Sequence, residues 1–177
     1  DTFKNDSLYW SNKSTYEVEN GLEGLTDKQT KLPSYWNTAF KKICLGMKVQ
    51  RGTETDTKWI LIDHEASSLF DVIAEDNFTA TNITKSKWQS LIYGSSLQEN
   101  CNIQGFNIRG RESRKMYIRI GLVANDENDC KTCNSCIGFG ISIPGCYGLV
   151  HKKACGSIHA CGNLQNNIAA FGYILVQ

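Results

Sequence analysis

The stretch "MYIRIGLV" at residues 116–123 alternates its side chains, with Tyr117 and Arg119 on one parity and Ile118 and Ile120 on the other. A period of two belongs to a strand with one face buried, because successive side chains leave a pleated backbone on opposite sides. The strand reading runs over residues 116–124, and similar short runs recur at 43–49, 59–62, 106–109, 137–143 and 171–176. They are built largely on β-branched and aromatic residues.

Two segments keep a helical period instead. In "EASSLFDVIAED", residues 65–76, Ala66, Leu69, Phe70 and Ile73 fall at i, i+3, i+4 and i+7. In "TKSKWQSLIYG", residues 84–94, Thr84 is a capping residue, Trp88, Leu91 and Ile92 share a face, and Gly94 is a stop. The expected fold is therefore mainly β, a sandwich or mixed antiparallel sheet with two short helices, stabilised by disulfides. Residues 1–30 read as a polar lead-in whose aromatics Tyr9, Trp10 and Tyr16 dock on the body, and 31–177 as a single β-rich extracellular domain.

The 177 residues are 41% hydrophobic, enough for one domain with its own core. Nineteen basic residues against eighteen acidic ones leave a formal charge of +1, which argues against a nucleic-acid partner and its concentrated basic face. The one local cluster, Arg109, Arg111, Arg114, Lys115 and Arg119, is expected on a solvated strand or hairpin edge. No apolar run approaches the roughly 20 residues of a membrane helix, so no membrane span is expected. The sequence starts at Asp1 without an initiator Met, as either a mature form after signal removal or a domain cut from a longer chain.

Eight cysteines decide the expected compartment: Cys44, Cys101, Cys130, Cys133, Cys136, Cys146, Cys155 and Cys161. Four of them crowd into "CKTCNSCIGFGISIPGC", residues 130–146, which raises zinc, a redox pair and disulfides as alternatives. Zinc needs four ligands at knuckle spacing, and Cys146, His151, Cys155, His159 and Cys161 follow the first three cysteines at spacings of no known finger or ribbon. A thioredoxin-type CxxC opens a helix, whereas here a strand pattern follows. Four N-x-Ser/Thr sequons, at Asn5, Asn12, Asn77 and Asn82, support secretion with glycosylation at these asparagines. All eight cysteines are thus expected in disulfides, in any of 105 pairings.

Four blocks carry a resemblance: "KLPSYWNTAFKKICLGMKV" (31–49), "SSLFDVIAEDNFTATNITKSKWQSLIYGSSLQENCNIQGFNI" (67–108), "RIGLVANDENDCKTCNSCIGFG" (119–140) and the ending "CGN…AFGYILVQ". They resemble the skeletal organic matrix protein 5-like family of reef corals and sea anemones, over about residues 21–177. The resemblance implies a secreted, disulfide-bonded extracellular domain associated with the organic matrix of the skeleton, and no activity. Residues 144–160, "PGCYGLVHKKACGSIHA", depart from the family pattern and read as a lineage-specific loop stapled by its own disulfide.

Candidate chemistry is sparse. Asp126, Glu127 and Asp129 in "NDEND" are hard oxygen donors for a candidate calcium site, the only cofactor considered, against the commoner reading as a solvated turn. His64, His151 and His159 would be the partners of any catalytic cysteine, yet G-x-S-x-G, P-loop and H-E-x-x-H motifs are absent, so no enzyme is expected. "IGFGI" reads as a bulged strand rather than a phosphate cradle. Of Trp10, Trp36, Trp59 and Trp88, most are expected in the core, with Trp10 the one exposed on the lead-in as a ligand-binding side chain. The expected function is a secreted, non-enzymatic matrix or adhesion module that binds extracellular matrix proteins or glycans. The alternative is a lectin-like carbohydrate-recognition protein, with calcium as a possible aid.

Overall fold

A computed structural model describes residues 2–110, 116–130, 132–144, 150–160 and 166–177. The chain is mainly β. Strands β1 (Phe40–Arg51) and β2 (Glu54–Ala66) form a long hairpin whose turn uses left-handed Gly52, and β9 (Phe171–Val176) pairs with the other side of β1. The second sheet has six antiparallel strands in the order β3 (Thr79–Ala80), β4 (Asn100–Arg109), β5 (Tyr117–Asn125), β6 (Ser135–Pro144), β7 (Val150–His159) and β8 (Ile168–Ala169).

Both expected helices form, shorter than their patterns. The α3 helix (Leu69–Ile73) starts at Ser68, whose hydroxyl accepts from the Asp71 amide, and buries Leu69 and Ile73. Ala66, the first residue of its expected stripe, belongs to β2. In α4 (Lys85–Gln89) the Thr84 hydroxyl accepts from the Lys87 amide and Trp88 is buried. Two further short helices were not expected, α1 (Val18–Leu22) and α2 (Ser34–Asn37), together with a 3-10 turn at Leu8–Trp10. Residues 150–159 correct the expected variable loop. They form β7, fully registered against β6 from Ser135↔His159 to Pro144↔Val150.

One core joins the sheets. Ile43, Leu45, Met47, Ile60 and Ile62 of the first pack in the same cluster as Phe106, Ile120, Leu122, Ile137 and Phe139 of the second. A second cluster, with Ile108, Ile118, Val123, Cys136, Ile141, Ile143 and Ile158, is drawn from β4 to β7 alone or nearly so. Ile118 and Ile120 therefore belong to different clusters, against the simple alternation of "MYIRIGLV". The strands flanking β5 supply the reason: Asn107 (φ 53°) and Gly140 (φ 58°) are left-handed beside Arg119, and the faces of the sheet exchange at this row while the register runs on unchanged.

Arg119 occupies that row. Its Nε donates to the Asn5 carbonyl at 3.1 Å, and a terminal nitrogen donates to Asp76 Oδ1 at 3.0 Å and to Asn107 Oδ1 at 3.5 Å. Asp76 also pairs with Arg109. The expectation of a solvated strand or hairpin edge fails at Arg119, whose side chain is only 14% exposed on an interior strand, while Arg109 is exposed at the end of the β4–β5 hairpin. Arg111, Arg114 and Lys115 lie outside the described residues. The lead-in packs here, with the Trp10 ring against Gly140 and with Phe3, Tyr9 and Tyr16 in mutual ring contact.

Candidate functional site

On β1, Ile43, Leu45, Met47 and Val49 point into the core, so Cys44, Gly46 and Lys48 face outward. The register lays three rows across that outer face: Leu61–Cys44–Leu175, Trp59–Gly46–Tyr173 and Thr57–Lys48–Phe171. Gly46 at the centre has a physical reason. A Cβ there would fall 2.3 Å from Cζ3 of Trp59, so the indole lies across bare backbone. The Tyr173 ring lies 5.6 Å away with its plane tilted by 30°, and Phe171 is 5.2 Å beyond it.

This face is open. Trp59 is 37% exposed, Leu61 44% and Leu175 41%, a cluster of apolar surface in one place rather than scattered singly. A polar rim closes one end. Lys48 Nζ donates to both oxygens of Asp27 at 2.8 Å, and the Tyr173 hydroxyl donates to Asp27 Oδ1 and to the Thr26 carbonyl, each at 3.2 Å. The Lys48 hydrogen bond holds the Asp27 carboxyl below its ordinary range, while burial and the adjacent carboxylate push the Tyr173 phenol up.

The residues expected to act do not gather here. Trp10 is corrected outright: it is 4% exposed, and its indole N–H donates to the Lys4 carbonyl at 2.8 Å. The 3-10 turn at Leu8–Trp10 folds the lead-in back on itself and points the ring inward. Trp59 is the exposed tryptophan that the sequence reading placed in the core. Both parities of "WILI" are apolar, the one signal of a strand that is apolar on both faces.

Asp126 and Glu127 are exposed, and Asp129 Oδ2 accepts from the Thr132 hydroxyl at 3.2 Å. Among the described residues no group of three or more His, Cys, Asp or Glu side chains is arranged to hold a metal. Asn77 and Asn82 are exposed and Asn12 is half-buried, all open to a glycan. Asn5 is not, at 8% exposure, because the Arg119 contact pulls its backbone against the body.

The cysteines separate into three groups. Cys101 and Cys130 form a disulfide closing a loop of 29 residues. Cys44, Cys133, Cys136 and Cys155 are free thiols, a correction to the expected full set of bridges. The fold disperses them: Cys155 lies in the inter-sheet core, Cys133 and Cys136 in the second cluster, and Cys44 on the outer face of β1. Burial pushes the Cys133 thiol up to about 11 and raises Cys136 and Cys155 as well, which suits inert packing rather than nucleophilic work. Cys146 and Cys161 lie outside the described residues.

The histidines are equally dispersed. His64 turns inward, its ring 5.0 Å from that of Phe106, and burial lowers its pKa. Its sequence neighbours Asp63 and Glu65 are exposed on the opposite side of β2. His159 Nδ1 hydrogen-bonds with Ser96 Oγ at 2.9 Å, and His151 pairs with Ile143 in the register of β6 and β7. An open depression of about 670 Å³ at the end of β1 and β2 is lined by Lys41, Lys42 and Glu65 among others, and by none of the three histidines.

A second aromatic feature is already filled. Lys31 is 6% exposed, with Nζ 4.6 Å from the Tyr35 ring, 5.6 Å from Trp36 and 5.7 Å from Tyr9, and it donates to the Asn12 carbonyl at 2.6 Å. Burial pulls its pKa from 10.5 down to about 8. Between those values the unfolded chain binds the extra proton, so this group's contribution to stability rises as pH increases from about 8 to 10.5. In a 13C titration of the lysine side chains, Lys31 is expected to titrate well below all the exposed lysines. A Lys31 midpoint near 10.5 would remove the pH dependence.

Comparison with family models, with curated proteins and with solved structures finds no match to this chain. Among the described residues, no helix is long and apolar enough to cross a membrane.

Proposed function

We propose that this chain is a secreted, non-enzymatic module of an extracellular matrix or adhesion system, in line with its resemblance to skeletal organic matrix proteins. It binds through the outer face of the sheet β2-β1-β9. The observation that carries the reading is the contiguous exposed surface of Trp59, Leu61 and Leu175 on a rigid three-stranded platform. Clustered exposed apolar surface of this kind marks interaction sites. The Cys101–Cys130 disulfide and the accessible sequons at Asn77 and Asn82 are compatible with secretion.

The test is solid-phase binding of the full chain to immobilised collagen and to calcium carbonate mineral. The expected result is saturable binding to at least one of them, weakened about tenfold by Leu61→Asp. That substitution falls on an exposed side chain, so the fold should be spared. Absence of binding to either surface, or equal binding by the variant, would sink the reading. A lectin-like activity is the second reading, favoured by the paired rings of Trp59 and Tyr173.

A further inference from the structure

We propose that the Trp59–Gly46–Tyr173 row is a carbohydrate site that takes a neutral, equatorially substituted pyranose chain. The proposal rests on the reading that this face is where the module binds. An aromatic face carries negative charge density, and the weakly positive C–H groups on the flat side of such a sugar are its complement. A flat platform needs rings laid parallel to the sheet, and only glycine at position 46 leaves room for the Trp59 indole to do so.

The rim fits hydroxyls rather than a charged ligand. Lys48 and Asp27 neutralise each other at 2.8 Å, yet the ammonium and the carboxylate both keep capacity beyond that contact. With the Tyr173 hydroxyl beside them, the group offers donors and acceptors without net charge, which suits vicinal hydroxyls and gives an anionic glycan no advantage. A second ion pair, Lys42 with Asp63 at 3.8 Å, closes the far end of the strip. From Lys42 to Lys48 the strand rises roughly 20 Å, at about 3.4 Å per residue, room for a short oligosaccharide rather than a single ring.

The experiment is calorimetric titration of the full chain with cellohexaose and chitohexaose, with a heparin hexasaccharide as the anionic comparison. At least one neutral hexaose should bind. Trp59→Ala should weaken that binding about tenfold or more, and Tyr173→Phe, which loses only the hydroxyl, about threefold. Gly46→Ala keeps both aromatics but lifts the indole off the sheet, and it should also lose the sugar. Because the atom it displaces is a side-chain ring at the surface, this variant tests the platform without emptying the core.

Binding of neither hexaose, equal affinity in Trp59→Ala, or tighter binding of the heparin fragment would overturn the carbohydrate assignment. If collagen or mineral binding is lost in Leu61→Asp while no sugar binds, the module reading stands and the glycan falls. If the wild type binds neither matrix component nor sugar, both fall together.

Discussion

Gly138→Ala is expected to destabilise the protein by about 3 kcal/mol or more, at the upper end of what overpacking costs. A Cβ at this position would lie 2.2 Å from the Ile120 carbonyl oxygen and 2.8 Å from the Gly121 Cα. Both obstacles are main chain of β5, an interior strand held by β4 and β6, and cannot swing aside. Gly138 belongs to a row running across the sheet, Gly105↔Gly121↔Gly138↔Gly156, with Ala80 and Ala169 at its two ends. A row without side chains lets adjacent backbones approach closely and the sheet bend.

The comparison for that variant is Gly24→Ala. Gly24 has a positive φ of 97°, but a Cβ there meets nothing within 4 Å, so it bears only the conformational cost of about 1 kcal/mol. Urea unfolding of the two variants isolates the steric part. A Gly138→Ala protein as stable as Gly24→Ala would mean that the strands do not approach as described. A loss of 3 kcal/mol is a large share of the roughly 5–15 kcal/mol that holds a domain together.

The second large effect is expected at Asp76. Asp76→Asn keeps a side chain that tolerates the left-handed backbone there, φ 62°, but removes the carboxylate shared by Arg109 and Arg119. Removing one partner of a buried pair costs about 3–5 kcal/mol, and because Asp76 is partly open to water the expectation here is about 2–3 kcal/mol. The loss should be selective. Arg119 also donates to the Asn5 carbonyl, so loosening it frees the lead-in, and trypsin should cut after Lys4 or Lys13 sooner than in the wild type. Arg119→Met in the Asp76→Asn background should recover part of the stability by removing the stranded charge. A double-mutant coupling near zero would show that the pair contributes nothing.

How far the sequence could be read depended on how local each cause was. Short β-type runs marked six of the strands, several of them alternating, and residues 171–176 were bounded correctly because polar Gln177 follows the run from Phe171 to Val176. The α4 helix was legible from Thr84 and Trp88, which act within about one turn of each other, but it stops at Ser90 rather than at the expected Gly94. The β7 strand was missed because its "HKKACGSIH" pairs exposed Lys152 and half-buried Lys153 with glycine and serine, a weak pattern whose burial comes from its place beside β6. The candidate site was missed for a related reason. Trp59, Gly46 and Tyr173 are far apart in sequence, and only the pairing of three strands makes a platform of them.

The sequence by itself determined the mainly β class and the two strongest helices, because strand period and capping depend on nearest neighbours. Only the tertiary structure decided which tryptophan faces solvent, which cysteines meet and which arginine is buried. Each of these depends on the pairing of distant strands: the left-handed residues Asn107 and Gly140 on the neighbours of β5 go with an exchange of the sheet's faces around Arg119 while the register stays unchanged, and no local pattern in β5 announces it.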